Sequence, residues 1–291
     1  MSSYFNKIFK PCINEIHNLI PGHKGIGAYA RVARDLILPG RAVFQDIVVI
    51  LTTRCSLNCK NCNNLMPLYD KPYHLDTDTV IADILKLLEN VDTIIKFGLL
   101  GGEPLIYPEL GRVLQVVLES PKVMFADITT NATVLPDSSL LKLMRHPKMF
   151  VEISNYGVKT QKVQDFAALM RENGIRHTVD KATSWVAPGG TEQRGKSREQ
   201  LEKEYNACYS SRYCRTMLNG KLYLCARGAH LCDLGYMKSE HDVFDVRNTP
   251  SGPGFREGMK RFYLSDYAEA CNYCDHALGK KVKPGEQLKR K

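Results

Sequence analysis

The chain has 291 residues, 44% of them apolar and 24% charged, with a formal net charge of +9. That balance suits a globular protein with a sizeable core and excludes a disordered or fibrous chain. No apolar run approaches the roughly 18–20 residues that a membrane-spanning helix requires.

Phe5, Phe9, Ile13, Ile16 and Ile20 recur at near-helical spacing, interrupted by Pro11, which predicts a helical leader rather than a secretory signal. Residues 46–51 (DIVVIL) read as a buried strand. Residues 76–91 read as an amphipathic helix, with Asp76, Thr77 or Asp78 as cap and Val80, Ile81, Ile84, Leu85, Leu88 and Val91 on one face. Strands follow at 94–100, 123–129, 150–154 and 175–179. Between them lie helices around Leu110–118, Ser138–144 and Val163–170. Strand–helix alternation of this kind implies parallel strands with helical crossovers, here an α/β partial barrel of the (β/α)6 type.

The alternation breaks at 188–197 (PGGTEQRGKS), a polar, glycine-bearing linker. Three parts are therefore expected: an N-terminal helical extension over 1–45, the barrel over 46–187, and a small loop-rich domain over 188–291. The last part ends in a basic run, Lys280, Lys281, Lys283, Lys289, Arg290 and Lys291, expected to be a solvated tail. No RNA-binding motif with paired aromatics accompanies it, so a nucleic-acid partner is not expected.

Ten cysteines are many for such a chain. Without a secretory signal they point to a reducing, cytoplasmic setting, where cysteines bind metal or do chemistry instead of forming disulfides. Cys55, Cys59 and Cys62 follow directly on the first predicted strand. Three thiolates on one loop can hold three corners of a cubane iron–sulfur cluster and leave one iron open to a small molecule. The competing reading is zinc, which usually takes four ligands and would need a partner such as His74.

The CxxxCxxC of Cys55, Cys59 and Cys62 just after a strand resembles the signature of the radical S-adenosylmethionine (radical SAM) superfamily. Gly101, Gly102, Glu103 and Pro104, after the second strand, resemble its GGEP motif. The resemblance implies a 4Fe–4S cluster on the three cysteines, with S-adenosylmethionine on the open iron and its methionyl amine against the GGEP segment. It also implies that polar residues at strand ends hold the ribose and carboxylate, here Thr130 and Asn131, then Glu152, Ser154 and Asn155. One position departs from the pattern. Asn61 stands where an aromatic usually packs on adenine, which moves that contact to Met66 or Tyr69.

A second set comprises Cys208, Cys214, Cys225, Cys271 and Cys274, and Gly220 suggests a hairpin between its members. It resembles the auxiliary-cluster domains of the SPASM and twitch type, and five cysteines imply one further 4Fe–4S cluster. Five candidates compete for four places. Spacing in the family favours Cys208, Cys225, Cys271 and Cys274, with Cys214 as the alternative.

The chemistry implied is reductive cleavage of S-adenosylmethionine to a 5′-deoxyadenosyl radical, fed by a donor such as flavodoxin or ferredoxin, then hydrogen abstraction from an unactivated C–H bond. The arrangement is most similar to carbohydrate- and aminoglycoside-acting members, the neomycin epimerase among them. This implies epimerisation or dehydrogenation of a carbohydrate-like substrate, with Cys232 as the candidate hydrogen donor. The rival readings are a radical SAM peptide maturase and, in another class, a zinc-stabilised basic binding protein.

Overall fold

The computed structural model describes residues 26–38, 41–208, 210, 214–275 and 279–289. The leader positions 5–20, together with Cys12, lie outside them. Helix α1 (Ile26–Ile37) leads into β1 (Val43–Ile50), which is buried along all eight residues. Burial on both faces is what a central parallel strand imposes, and it explains the unbroken apolar run of 47–51.

Helix α2 (Thr77–Glu89) starts at Asp76, whose side chain accepts from the Thr79 amide at 2.9 Å, and buries Val80, Ile84, Leu87 and Leu88. It leads to β2 (Thr93–Leu100), α3 (Leu110–Glu119), β3 (Val123–Thr130), α4 (Ser138–Met144) and β4 (Met149–Asn155). Helix α5 (Val163–Glu172), β5 (His177–Lys181) and the short β6 (Trp185–Val186) follow. The elements expected over 46–187 are all present, with ends shifted by a few residues.

The second part of the chain is more regular than its composition suggests. It holds α6 (Arg198–Ala207), β7 (Cys214–Leu218), β8 (Lys221–Tyr223), α7 (Ala226–Asp233), β9 (Val243–Asp245), α8 (Pro253–Tyr263) and β10 (Lys281–Val282). Helix α6 opens on a capping box, in which Ser197 accepts from the Gln200 amide and the Gln200 side chain accepts from the Ser197 amide. Helix α8 has Pro253 in its first turn and buries Phe255, Met259, Phe262 and Tyr263 along one stripe.

The main sheet has the order β5-β4-β3-β2-β1-β7-β8-β9. From β5 to β7 the neighbours are parallel, giving six parallel strands, while β8 and β9 pair antiparallel. The sheet does not close, so the architecture is a partial barrel. The anticipated turn at Gly220 joins β7 to β8, with Asn219 and Gly220 both left-handed (φ 52° and 74°). Residues 214–245 thus extend the sheet begun before the 188–197 stretch.

Register decides what faces the inside of this sheet. Asp46 lies beside Lys96 and Cys214, Val48 beside Gly98 and Thr216, and Gly98 beside Asp127. Side chains of paired residues point the same way, so these form one wall. Lys96 Nζ lies 3.7 Å from Asp46 and 3.2 Å from Glu152.

Candidate active site

The loop after β1 carries Cys55, Cys59 and Cys62, and it is fastened to the end of β2 by two backbone bonds. Gly102 N donates to Thr52 O at 2.9 Å, and Glu103 N to Arg54 O at 3.0 Å. A Cβ on Gly101 would lie 2.6 Å from Thr52 O, and one on Gly102 would collide with the Arg54 carbonyl and sit 2.8 Å from Cys55 Cβ. The two glycines therefore let the cysteine loop lie directly on the strand end. Glu103 is fully buried and accepts from Thr130 Oγ1 (2.7 Å), the Asn131 amide (2.8 Å) and the Leu105 amide (3.1 Å). Its carboxylate ties β2 to β3.

Cys55, Cys59 and Cys62 line one cavity of about 470 Å³ together with Asn61, Met66, Gly101, Gly102, Thr129, Thr130, Asn131 and Ser154. That size is ordinary for a site holding a cofactor-sized molecule. Of the expected cofactor-binding residues, Gly101, Gly102, Thr130, Asn131 and Ser154 reach this cavity. Glu103, Pro104, Glu152 and Asn155 are not in its wall. Glu152 lies lower, bonded to Lys96 and Thr129, and Asn155 caps the turn at Gly157. Met66 is in the wall, whereas Tyr69 turns away to bond His230 Nδ1 and Asp233 at 2.8 Å each.

The donor set is suited to an iron–sulfur group. Burial pushes the Cys55 thiol up to about 12 and raises Cys62 and Cys59 as well. Iron must therefore displace protons, and binding would strengthen as pH rises. Amides already point at two of the sulfurs: Asn131 Nδ2 lies 3.7 Å from Cys55 Sγ, and Gln287 Nε2 lies 3.1 Å from Cys59 Sγ. Such N–H donors stabilise sulfur that carries negative charge. Among the described residues no three His, Cys, Asp or Glu side chains converge to hold one metal ion, and the three thiols instead share a cavity wall.

The second set divides. Cys271 is in electrostatic reach of Cys225, Cys274 and Cys208, which come from three separate places. Cys208 ends α6, Cys225 caps α7 and accepts from the Gly228 amide at 3.2 Å, and Cys271 lies in a 3-10 turn that Cys274 ends. Lys196 Nζ ties the last two to α6, donating to Cys271 O (2.9 Å), Cys274 O (2.6 Å) and Glu204 (2.7 Å). Cys214 stands apart on β7, among Asp46, Lys96 and Arg215, inside the barrel. Cys232 lines another depression with Lys221, Tyr223 and Lys238, outside the wall of the main cavity. That placement argues against it as a hydrogen donor.

Arg227, on α7, lies between the two sets. Its Nε and Nη2 donate to the Tyr273, Gly189 and Gly190 carbonyls, while Nη1 is buried without a partner among the described residues. Its charge reaches Cys62 on one side and Cys225 and Cys274 on the other. An orphaned buried guanidinium nitrogen is expensive unless an acceptor is supplied, and anionic sulfur would supply it.

The basic end of the chain is not the free tail expected. Its lysines at 280, 281, 283 and 289 are exposed, but the backbone is docked. β10 pairs with β6, and residues 286–288 bond to 58–60. Tyr156, Trp185 and Val186, beside this segment, also line the cavity and carried no motif by which to find them.

Residues 49–193 match the family model of the radical SAM superfamily. The GTP 3′,8-cyclase of Clostridium acetobutylicum is 28% identical over 135 residues, covering 45% of this chain and 40% of that protein. The chain thus spans less than half the length of that curated relative. Two solved structures of anSMEcpe share the fold at 13% identity. The one with bound AdoMet has a TM-score of 0.51, covering 80% of each chain. The one with AdoMet and the Cp18Cys peptide has a TM-score of 0.50, covering 82% of this chain and 84% of that one. With its cysteine loop seated on the GGEP segment at the mouth of a partial barrel, the chain belongs to the radical SAM superfamily.

Proposed function

We propose that this radical SAM enzyme acts on a carbohydrate-like substrate, with Cys55, Cys59 and Cys62 holding the radical-generating 4Fe–4S cluster. Cys208, Cys225, Cys271 and Cys274 hold a second one. The observation that carries the reading is the shared cavity wall of the first three thiols and the strand-end residues Gly101, Thr130, Asn131 and Ser154. When bound, the first cluster and S-adenosylmethionine supply a 5′-deoxyadenosyl radical that removes one hydrogen atom from the substrate.

The chain's own residues then decide what is bound. Below the cavity, Thr129 Oγ1 lies 3.5 Å from Glu152, which pairs with Lys96, which in turn faces Asp46. This polar wall inside the barrel is suited to hydroxyl and amino groups and poorly suited to an apolar side chain. It favours a sugar-like substrate over a peptide. The substrate radical would either be inverted, a thiol giving it a hydrogen atom and regaining a proton from solvent and an electron from the bound cluster or its external donor, or be oxidised, with an electron passing to the second cluster when bound and a proton to solvent. Cys214, on the same wall as Asp46 and Lys96, is better placed for the first role than Cys232.

The test is anaerobic turnover in deuterated water with amino sugars, checked by mass spectrometry. Inversion gives a product of unchanged composition carrying one solvent deuterium. Dehydrogenation gives a product two hydrogens lighter with none. Formation of 5′-deoxyadenosine with a peptide and with no sugar would overturn the substrate class.

A further inference from the structure

We propose that the C-terminal segment 279–289 is a working part of the radical-cluster site, with Gln287 as a positioning residue for the Cys59 sulfur. The proposal rests on the reading of Cys55, Cys59 and Cys62 as cluster ligands. Gln287 lies 228 residues from Cys59 in sequence, far outside the matched radical SAM segment, yet its Nε2 donates to Cys59 Sγ at 3.1 Å.

The contact is built rather than incidental, because the amide is fixed at both ends. Gln287 Oε1 accepts from the Asn58 amide at 2.7 Å, and Nε2 also donates to Gly285 O at 2.8 Å. The Oε1 contact settles which end of the side-chain amide faces the backbone N–H, and so leaves the NH₂ for the sulfur. Around it the segment runs as a strap. Lys60 N donates to Glu286 O and Leu288 N to Asn58 O, both at 2.8 Å, making a short antiparallel bridge across Cys59.

The strap is anchored before it reaches the loop. Lys281 and Val282 pair with Val186 and Trp185, both in the cavity wall. Gly285 adopts φ +62°, and a Cβ there would lie 2.7 Å from Tyr156 Cβ and 2.8 Å from Val158 Cγ2. Only glycine lets the chain pass between the cavity wall and the cysteine loop. The Lys60–Glu286 ion pair is half-exposed and adds little.

Two consequences follow from ordinary cluster chemistry. A hydrogen bond to a ligating sulfur raises the reduction potential by stabilising the reduced, more negative form. A strap over the loop also limits access of oxygen to the sulfur and iron behind it.

The experiment is an EPR-monitored redox titration of the full, anaerobically reconstituted chain, following the cluster whose signal changes on adding S-adenosylmethionine. In Gln287→Ala the reduced-to-oxidised ratio at a fixed potential should fall about tenfold, or ~59 mV for a one-electron couple. Gln287→Glu keeps an acceptor for the Asn58 amide but loses the donor, and should fall further. Iron content should hold in both variants, and both should bleach faster in air. A potential and bleaching rate equal to the parent's in both variants would overturn the strap's role. The Cys55→Ala/Cys59→Ala/Cys62→Ala variant checks the layer beneath: if it keeps that EPR signal, the ligand assignment fails, whatever Gln287 does.

Discussion

The two cysteine sets are assembled in opposite ways. The first is local: three thiols within one loop, seated on the neighbouring strand end by two backbone bonds and two glycines with no room for a Cβ. The second is gathered from the end of α6, the start of α7 and a turn near residue 270, and one lysine ties α6 to that turn. A local set inherits its geometry from the barrel. A gathered set depends on the packing of everything between its members, so the two should fail independently and for different reasons.

The sharpest way to separate them is Cys271→Ala with Cys274→Ala. This should remove about half of an expected total of about eight iron atoms per chain, yet leave measurable cleavage of S-adenosylmethionine. Equal iron in variant and parent would remove those residues from the ligand set. Lys196→Met acts on the same set without removing a ligand. It leaves the nearly buried Glu204 carboxylate without its partner, and should cost about 3–5 kcal/mol in urea unfolding. The second cluster should be lost before the first.

Gly102→Ala tests the local set. Its Cβ would press on the Arg54 backbone, which cannot rotate away as a side chain could, so a cost of about 1–3 kcal/mol is expected. Iron loss should fall on the first set. If the variant loads both clusters normally, the glycine seat is not what shapes the loop.

A pH-dependent effect concerns the joint between the two regions. His230 on α7 is fully buried, bonded through Nδ1 to Tyr69 just after the cysteine loop, and burial lowers its pKa to about 3. Unfolded, it titrates at its ordinary 6.5. Between those values the unfolded chain binds the extra proton, so the stability is present above pH 6.5 and is lost as pH falls toward 3. The slope should be about 1.4 kcal/mol per pH unit. His230→Asn should flatten that part of a stability-against-pH curve, and an unchanged curve would mean the imidazole is free to charge in the fold.

The same contrast explains what the sequence disclosed. The barrel was legible because buried parallel strands write continuous apolar runs such as 47–51, and their helices write a 3.6-residue period with caps such as Asp76. The first cysteine set was legible for the same reason, being contiguous. The choice among Cys208, Cys214 and their partners depended on tertiary packing: Cys214 is on a strand whose register turns it toward Asp46, away from the other four. Glu103 has a second use that its motif did not disclose, since its carboxylate accepts from Thr130, Asn131 and Leu105 and so joins β2 to β3. Gln287 left no signal at all. A lysine-rich end reads as solvated, and only the pairing of 285–288 with 58–60 reveals its use.

The central claim is that the local set generates the radical. Its most direct test is formation of 5′-deoxyadenosine from S-adenosylmethionine by the reconstituted, reduced protein, set beside the Cys55→Ala/Cys59→Ala/Cys62→Ala variant. The parent should form it, and the triple variant should form none while keeping the iron of the second set. Cleavage retained by the triple variant, or a parent protein that takes up zinc in place of iron and leaves S-adenosylmethionine intact, would contradict the claim.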